Sequence, residues 1–220
     1  MTKAAHRLQS DDEIDLKILR AAAKLFREQG FDGTTVREIA KAAQMLPGSL
    51  HYRYQSKDEV LVALMRRGTT KAMEAVRAAV ANEPDPIERL RYALRAHLKL
   101  LIHGDDALYV LLFDWRALPP RSRAGIEKER AKYEAFWDEL IALAAMSGRA
   151  RPQLDLALMR RFSFGAINWV ATWHHELDRS SDEIADAYFT YVAYGLLDEH
   201  ARPKNIAPFF EALMHPKEKK

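Results

Sequence analysis

An all-α protein is the fold class that this sequence of 220 residues predicts. Apolar residues recur at helical spacing along almost the whole chain, and residue pairs typical of helix starts precede the apolar stretches. Glycine and proline fall mostly at the joints between these stretches. No run of alternating apolar and polar residues is long enough to indicate a β-strand.

Four helix starts have the spacing of a capping box, in which a Ser or Thr hydroxyl and a Glu carboxylate three residues later satisfy free backbone N–H groups. They are Ser10 with Glu13, Thr35 with Glu38, Ser56 with Glu59 and Ser180 with Glu183. A fifth start is Asp85-Pro86, which has proline at the first helical position. Together these signals predict about nine helices, over about residues 12–29, 35–42, 46–52, 57–82, 86–103, 106–117, 121–147, 154–177 and 181–198.

The composition excludes several classes of protein. The chain has no cysteine, so a disulfide framework, a thiolate zinc site and a cysteine nucleophile are all excluded. The polar N-terminus lacks the apolar segment of a secretory signal, and no apolar run approaches the roughly 18 residues of a membrane span. The cluster His174-His175-Glu176 lacks the spacing of a zinc motif, and no nucleophile or phosphate-loop motif occurs. We therefore expect a soluble, cytoplasmic protein with no catalytic site, no metal, no cofactor and no membrane partner.

Basic residues are concentrated near the N-terminus. Residues 1–57 contain ten Lys or Arg and seven Asp or Glu, whereas the remaining residues contain 24 of each kind. From Gly33 to the end of this stretch, the basic residues Arg37, Lys41, Arg53 and Lys57 accompany one acidic residue, Glu38. This pattern suits a surface that contacts phosphates, although a net charge of +3 also lies within ordinary scatter.

Two short helices between residues 34 and 57 form the most distinctive part of the pattern. Only a few residues separate them, which is typical of a helix-turn-helix and unusual in a helical bundle. The residues expected in its core are Ile18, Ala22, Leu25 and Phe26 of the preceding helix, Val36, Ile39, Ala40 and Ala43 of the first short helix, and Leu50 and Tyr54 of the second. The N-terminal part is therefore expected to be a three-helix head.

The outer face of the second short helix is expected to carry the hydrogen-bond donors Ser49, His51, Tyr52 and Arg53. Donors suit the major groove of DNA, because base edges and phosphates present mainly acceptors. The helix start at Pro47-Gly48-Ser49 has free backbone N–H groups that can point at a phosphate, and Lys57 can reach one as a point charge. We therefore expect this helix to contact double-stranded DNA.

The head contains two distinctive runs, ILRAAAKLFREQGFDGTTVREIA (Ile18 to Ala40) and PGSLHYRYQSKDEVL (Pro47 to Leu61). With these runs, the head closely resembles that of the tetracycline-repressor (TetR) family of bacterial regulators. In that family the start of the second helix, the recognition helix and the lysine after it contact the operator. The resemblance therefore implies DNA contacts by Thr35, Arg37, Pro47, Gly48, Ser49, His51, Tyr52, Arg53 and Lys57.

Two features depart from the family pattern. The turn usually reads AGVS, whereas here it is Ala43-Gln44-Met45-Leu46, so it forms without glycine and the recognition helix loses its serine cap. In addition, His51 replaces the usual Tyr and Arg53 replaces a frequent His. The operator sequence therefore cannot be transferred from other members. Arg37 and Arg53 either read a guanine or bind only phosphate.

The last two helices are expected to form a dimer interface. The eighth helix is apolar almost all the way round, so it must be buried on two sides. In the resembling family these helices form a four-helix bundle with their symmetry mates, which implies a twofold homodimer whose two heads bind a palindromic operator. The expected interface residues are Phe162, Ala166, Val170, Ile184, Tyr188, Tyr191 and Gly195. The alternative is that these helices form the centre of a monomer.

Aromatic and polar residues of the middle and eighth helices predict an effector site. Aromatic walls with a few polar groups are typical of small-molecule sites. The candidates are Tyr109, Phe113, Trp115, Arg116, Tyr133, Trp137, Asn168, Trp169 and Trp173. At least half of these aromatics also fit ordinary core positions. Arg116 either pairs with a carboxylate, phosphate or nucleotide of the effector, or pairs with Glu127 or Glu129.

The run AINWVATWH (Ala166 to His174), followed by SSDEIAD, resembles the body of TetR members linked to lipid or acyl-thioester metabolism. The resemblance implies a small hydrophobic or anionic effector, such as an acyl thioester.

Three parts of the chain are therefore expected: a DNA-binding domain over residues 1–56, an effector-binding and dimerisation domain over 57–200, and a C-terminal tail over 201–220. The expected function is a ligand-responsive repressor that an effector releases from its operator. Activation in place of repression remains open at this point. The rival hypothesis is a helical effector-binding protein or enzyme that does not bind DNA.

Overall fold

A computed structural model describes residues 3–104, 106–151, 154–197 and 200, with side chains from residue 11 onward. Within these ranges the chain forms nine α-helices and no β-strand, which confirms the all-α prediction. The helices are α1 (Lys3–Gly33), α2 (Val36–Ala42), α3 (Pro47–Arg53), α4 (Lys57–Val80), α5 (Pro86–His103), α6 (Ala107–Phe113), α7 (Pro120–Ala144), α8 (Leu156–Trp173) and α9 (Ser181–Leu196). The expected tail over 201–220 lies outside the described residues.

The described residues divide into two compact units. The first lies within residues 1–74 and 103–133 and contains α1 to α3, most of α4, α6 and the first part of α7. The second lies within residues 75–102 and 134–220 and contains the end of α4, most of α5, the rest of α7, α8 and α9. The domain boundary expected at residue 56 separates a DNA-binding part from an effector-binding and dimerisation part. It divides the chain by function and not by compactness, and it stays a prediction.

Three predicted helix starts are confirmed. Thr35 and Ser180 each form the complete capping box that the sequence predicts. The Asp85 carboxylate accepts a hydrogen bond from the Ile87 N–H at 2.8 Å, and Pro86 is the first residue of α5. These starts depend on neighbouring residues alone, which is why the sequence predicts them well.

The other two predicted capping boxes differ from the structure. Ser56 Oγ accepts a hydrogen bond from the Glu59 N–H at 3.2 Å, but the Glu59 carboxylate accepts one from the Gln55 N–H at 2.7 Å, so the box is displaced by one residue. The box at Ser10 is wrong, because α1 begins at Lys3 and Ser10 lies inside it. No proline or glycine precedes Ser10 in the sequence to stop the helix from extending toward the N-terminus.

Three predicted body helices are shorter than expected as α-helices. The regions expected over 106–117, 121–147 and 154–177 end in a 3₁₀ turn at Trp115–Ala117, a π turn at Ala145–Arg149 and a 3₁₀ turn at His174–Glu176. Such turns are common at helix ends, where the backbone hydrogen bonds change partners. Periodicity alone does not separate them from the α-helix before them.

The head has the small core that the sequence predicts. The side chains buried in it are Ile18, Ala22, Phe26, Ile39, Ala40, Ala43 and Leu50. The predicted core residues Leu25, Val36 and Tyr54 are only partly buried. A helix as short as α3 is not stable alone, so this core holds it in place.

Close contacts join α6 to α1 and α4 within the first unit. A Cβ atom on Gly68 of α4 would lie 2.7 Å from the Ala107 carbonyl oxygen, so only glycine permits this approach. Arg27 of α1 forms an ion pair with Asp106, and its guanidinium lies 4.7 Å from the centre of the Tyr109 ring. The start of α6 is therefore held by a backbone contact and a charged contact.

Ion pairs link helices within the second unit. Asp186 of α9 accepts hydrogen bonds from both Arg91 and Arg95 of α5. Partial burial alone would raise the pKa of Asp186, but these two guanidinium groups lower it to about 2. Arg149 likewise pairs with Asp85 at the start of α5. These pairs fix α5 against α9 and against the turn that follows α7.

The turn between α2 and α3 is made by Gln44 in a left-handed conformation, with φ of 55°. The Met45 N–H donates to the Ala40 carbonyl at 2.8 Å, and the Gln44 N–H donates to the Lys41 carbonyl at 3.0 Å. This is the Schellman arrangement, in which glycine usually occupies the left-handed position. The turn therefore keeps its geometry without glycine, at a conformational cost of about 1 kcal/mol.

We expect Gln44→Gly to raise the free energy of unfolding by about 0.5–1 kcal/mol, because glycine adopts this conformation without strain. The exposed hydrogen bond from Lys17 to Gln44 at 3.3 Å is lost, which has little effect. The matched control is Ala42→Gly, which places glycine at a helical residue and should lower stability by a similar amount. Denaturant unfolding of the three proteins checks both signs, and a Gln44→Gly protein less stable than wild type would contradict the prediction.

Candidate DNA-binding surface and ligand cavity

Helix α3 presents most of its predicted contact residues to solvent. Leu50 is fully buried and anchors the helix, whereas Pro47, Gly48, Ser49 and His51 are exposed. Tyr52 is 88% exposed. The structure thus places a row of hydroxyl, imidazole and backbone groups on the outside of a rigidly anchored helix, as the sequence predicts.

Two further predicted residues lie at the start of α2. Arg37 is exposed. Thr35 is also exposed, but its hydroxyl is engaged in the capping box, accepting from the Glu38 N–H at 3.2 Å and lying 2.7 Å from the Glu38 carboxylate. The hydrogen bonds with Thr35 lower the pKa of Glu38. Thr35 therefore orders the start of α2, while the guanidinium of Arg37 faces water.

Arg53 does not point outward, so the expectation from the sequence is wrong for this side chain. Its Nη2 donates to the Asp11 carboxylate at 2.6 Å and its Nη1 donates to the Asp15 carboxylate at 2.9 Å. The side chain is only 19% exposed. Burial alone would lower the pKa of Arg53, but the two carboxylates raise it. Burial and the nearby Asp15 also raise the pKa of Tyr54 to about 12.

The contacts of Arg53 therefore tie the end of α3 to α1. Helical periodicity places Arg53 on a face of α3 but does not show that the carboxylates of another helix lie beside it. A guanidinium engaged in two ion pairs does not read a guanine while those pairs persist.

Lys57 is also used inside the head. Its ammonium donates to the carbonyl oxygens of Phe31 at 2.7 Å and Thr34 at 2.8 Å, and it lies 4.2 Å from the centre of the Phe31 ring. The expected reach toward a phosphate is therefore not what this structure shows. The lysine satisfies backbone acceptors at the joint between α1 and α2, a contact for which the sequence carries no signal.

The second unit contains an apolar cavity in which the space between the lining atoms, including space open to solvent, is about 590 Å³. Apolar walls with a few polar groups are typical of small-molecule sites. The lining residues are Ile87, Leu90 and Leu94 of α5, Trp137 and Ile141 of α7, Met159, Arg160, Ser163 and Phe164 of α8, and Tyr188, Phe189, Val192, Ala193, Leu196 and Leu197 at α9. Aliphatic and aromatic groups thus form nearly the whole wall.

Arg160 is the charged residue of this wall, and it is buried. Its Nε donates to the Asp138 carboxylate at 2.6 Å and its Nη1 donates to the Glu134 carboxylate at 2.8 Å. Its guanidinium lies 5.9 Å from the centre of the Phe164 ring. Two carboxylates therefore balance its charge, as a buried cation requires.

His97 supports the aromatic part of the wall from behind. It stacks on Phe164 with 6.0 Å between the ring centres, and Trp137 meets it edge-on at 6.1 Å. Burial lowers the pKa of His97 to about 4 despite the contact with Asn168. The neutral ring donates from Nε2 to the Asn168 side-chain oxygen at 2.8 Å, so Asn168 orients the ring and does not face the cavity.

Of the predicted effector residues, Trp137 lines the cavity. Tyr133 is buried elsewhere, Trp173 is half-buried outside the lining, and Trp169 is 60% exposed. Tyr109 and Phe113 pack on each other in the first unit, with 4.6 Å between ring centres. Residue type alone predicted these aromatics, whereas residues of α5 and α9, most of them aliphatic, form more than half of the wall. The signal that was missed is Arg160, a charged residue in the apolar stretch of α8.

Arg116 and Trp115 also lie in the first unit and do not line the cavity. The guanidinium groups of Arg116, Arg123 and Arg130 lie 5.4, 6.0 and 5.2 Å from the Trp115 ring centre. Arg116 is exposed, so it does not need a buried anion. Arg116 therefore lies at the surface, within the 3₁₀ turn.

Exposed apolar side chains of α8 and α9 mark the expected dimer face. Phe162 is 72% exposed, and Tyr191, Ala166 and Gly195 are exposed as well. Leu158 lies about one helical turn before Phe162, and Trp169 lies about two turns after it, so the same face of α8 carries all three exposed side chains. We call Leu158, Phe162, Ala166, Trp169, Tyr191 and Gly195 the α8–α9 patch.

Three other residues predicted at the dimer interface lie inside the protomer. Val170 and Ile184 are buried in their own chain, and Tyr188 is half-buried at the cavity wall. Burial raises the pKa of Tyr188. An apolar helix has two buried faces, and the sequence does not show which of them packs on the same chain.

No group of three or more His, Asp or Glu side chains in the described residues has an arrangement that suits a metal ion. His174 and His175 meet edge-on, with 5.7 Å between ring centres. No helix in the same part of the chain combines the length and apolar character of a membrane span.

The arrangement matches known regulators in sequence and in fold. The chain is 27% identical to the HTH-type transcriptional repressor KstR2 of Mycobacterium tuberculosis over 186 residues, which cover 83% of this chain and 92% of the repressor. It is 24% identical to the fatty acid metabolism regulator protein of Bacillus subtilis over 159 residues, or 72% of this chain and 82% of that protein. The crystal structure of AibR in complex with isovaleryl coenzyme A and operator DNA has a TM-score of 0.74 and 30% identity, covering 81% of this chain and 97% of AibR.

Two family matches cover both parts of the chain. Residues 18–64 match the bacterial regulatory proteins of the tetR family, and residues 83–196 match a tetracyclin repressor-like C-terminal domain. The second match alone spans more than half of the sequence. This chain belongs to the TetR family of bacterial regulatory proteins.

Proposed function

We propose that this protein is a transcriptional repressor that binds a palindromic operator as a homodimer and is released by a small hydrophobic or anionic effector, such as an acyl thioester. The observation that carries the proposal is the exposed polar face of α3, held in place by the buried Leu50. Because its target is chromosomal DNA, we propose that the protein acts in the cytoplasm. Its nearest alternative is a helical effector-binding protein that has lost DNA binding.

DNA recognition is assigned to the groups that α2 and α3 leave exposed. Ser49, His51 and Tyr52 offer donors to base edges or phosphates, and Pro47 with Gly48 allows close approach of the backbone. Arg37 is the exposed guanidinium at the start of α2. Arg53 and Lys57 instead hold the head together. Their contribution to binding is indirect, through the position of α3.

Selection of bound sequences with the purified protein, followed by affinity measurements, tests DNA recognition. We call the exposed side of α3 that carries Ser49, His51 and Tyr52 the reading face. We expect His51→Ala and Tyr52→Ala to lower the affinity for the selected sequence by about 5- to 100-fold, because each removes a donor from this face. If Arg37 contacts a phosphate, Arg37→Ala should weaken binding and reduce the salt dependence of the affinity by about one counterion. If Arg37 reads a guanine, the same variant should relax the preference for one base. The control is Lys99→Ala, which removes an exposed charge from α5 in the second unit.

Arg53→Ala provides a contrast in the same assay. We expect it to lower the melting temperature, because Asp11 and Asp15 lose their partner, while leaving the order of base preferences unchanged. A wild-type protein that binds no DNA at low salt would overturn the proposed function and favour the alternative. Full specific binding by both the His51 and Tyr52 variants would overturn the assignment of the reading face.

Dimerisation is assigned to the α8–α9 patch. The patch carries three exposed aromatic side chains, Phe162, Trp169 and Tyr191, and burying them against a second apolar surface is favourable. A twofold axis would bring the patch of one protomer against the same patch of its partner. It would also pair two α3 helices on the two halves of a palindrome, about 34–36 Å apart.

At micromolar concentration we expect the wild type to have about twice the mass of one chain. Phe162→Glu should lower this mass toward that of one chain, because it would bury a charge in the proposed interface. Operator affinity should fall in parallel. Met146→Glu is the control, since Met146 is exposed outside the patch, in the turn after α7. Sedimentation measurements decide the outcome. A wild-type monomer, or a Phe162→Glu dimer as stable as wild type, would exclude this interface.

Effector binding is assigned to the apolar cavity of the second unit. Its wall suits an acyl chain or another apolar body, whose burial contributes about 25 cal/mol per Å². The Ser163 and Tyr188 hydroxyls and the paired Arg160 are the polar groups available to a head group. Isovaleryl coenzyme A, with which AibR forms a complex, combines a short apolar chain with an anionic carrier. Acyl thioesters are therefore the first class to test.

Titration of acyl-coenzyme A compounds of increasing chain length against the protein–operator complex tests this assignment. We expect release by one range of lengths, because each additional buried methylene contributes about 0.8 kcal/mol until the cavity is full. Val192→Phe should raise the concentration needed for release at least tenfold while leaving operator affinity unchanged, since it fills part of the cavity. Ala135→Phe is the control, because it adds the same ring at an exposed position of α7. Equal responses of the two variants would exclude the cavity as the effector site.

A further inference from the structure

Leu46 is an apolar residue at a position where helices normally have a polar one. It is the N-cap of α3, with φ of −74° and ψ of 141°, and its side chain makes no capping hydrogen bond. Ser, Thr, Asp and Asn are preferred there because their oxygen atoms accept from the first free N–H groups of the helix. Leu46 is also 76% exposed, so it contributes little to the core. Neither helix stability nor packing accounts for a leucine at this position.

Exposed large hydrophobic groups in the N-terminal half of the chain concentrate on the recognition helix. Within residues 11–104, where side chains are described, the exposed ones are Leu46 and Tyr52. Leu46 lies beside the exposed Pro47, and its carbonyl accepts from the Ser49 N–H at 3.0 Å. It therefore adjoins Ser49, the first of the exposed hydrogen-bond donors of α3. A single exposed leucine is ordinary on a protein surface. Its location at the edge of the proposed reading face makes this one informative.

The major groove presents one distinctive apolar group, the C5-methyl group of thymine. Polar side chains do not gain from contact with it, whereas an aliphatic side chain does. We propose that Leu46 is a specificity-determining residue that contacts the methyl group of a thymine in each operator half-site. This inference rests on the proposed function, because it requires that α3 enters the major groove. It adds an apolar contact to the hydrogen bonds assigned above.

Replacement of single thymines by deoxyuridine tests the proposal, since deoxyuridine lacks only the methyl group. The probe is the operator obtained by selection with the wild-type protein, with each thymine replaced in turn. When one particular thymine of each half-site is replaced, the affinity of the wild type should fall about fourfold, which is the effect of one buried methyl group. Leu46→Ser should bind the thymine and deoxyuridine forms of that operator equally. Leu46→Met keeps an aliphatic contact and should retain the discrimination.

The serine variant also controls for folding. Serine can cap α3, so Leu46→Ser should melt at the wild-type temperature or above, and any loss of discrimination is then not due to unfolding. If no thymine is sensitive in the wild type, or if both proteins lose the same factor at every thymine, the role of Leu46 is excluded while DNA binding stands. A wild-type protein that selects no sequence at all would overturn the proposed function and this inference with it.

Discussion

The burial of Leu50 is the interaction on which the exposed polar face of α3 depends. Helix α3 has seven residues and too few internal hydrogen bonds to persist alone. Leu50 inserts it into the head core, the ion pairs of Arg53 tie its end to α1, and Pro47 restricts the backbone at its start. With these constraints in place, the backbone that carries the exposed groups is fixed by folding. The entropy of ordering that backbone is therefore lost during folding and does not weaken binding.

Two cations that resemble DNA contacts are used to build this support. Arg53 pairs with Asp11 and Asp15, and Lys57 satisfies the carbonyl groups of Phe31 and Thr34. An ion pair within hydrogen-bonding distance is stronger than attraction to a distant phosphate, which solvent and salt screen. The free positive charge of the head is therefore smaller than its composition suggests. We therefore expect specific recognition to depend more on hydrogen-bond donors, on the apolar contact proposed for Leu46, and on the use of two heads.

The cavity shows a comparable use of charge in the body. Arg160 is paired with two carboxylates, so it carries no unpaired positive charge, and the pKa of about 4 keeps the His97 ring neutral at physiological pH. A ligand there gains mainly from the burial of apolar area, which scales with chain length and shape. An anionic head group bound there would meet an arginine that is already paired, so its attraction to Arg160 would be offset by the carboxylates of Glu134 and Asp138. Selectivity among acyl thioesters is therefore expected to follow the acyl part.

The sequence by itself determined the features that depend on near neighbours in the chain. Thr35 and Ser180 cap helices through groups three residues away, and the apolar spacing of α2 identifies Ile39 and Ala40 as core residues. The head motif, which is local in the same sense, was sufficient to identify the family. Only the tertiary structure decided which distant groups meet: Arg53 with α1, Lys57 with the end of α1, Trp169 with solvent, and α5 with α9 around the cavity. The physical reason is that periodicity shows which face of a helix is apolar, whereas the partner of a face or of a charge depends on how separate helices pack.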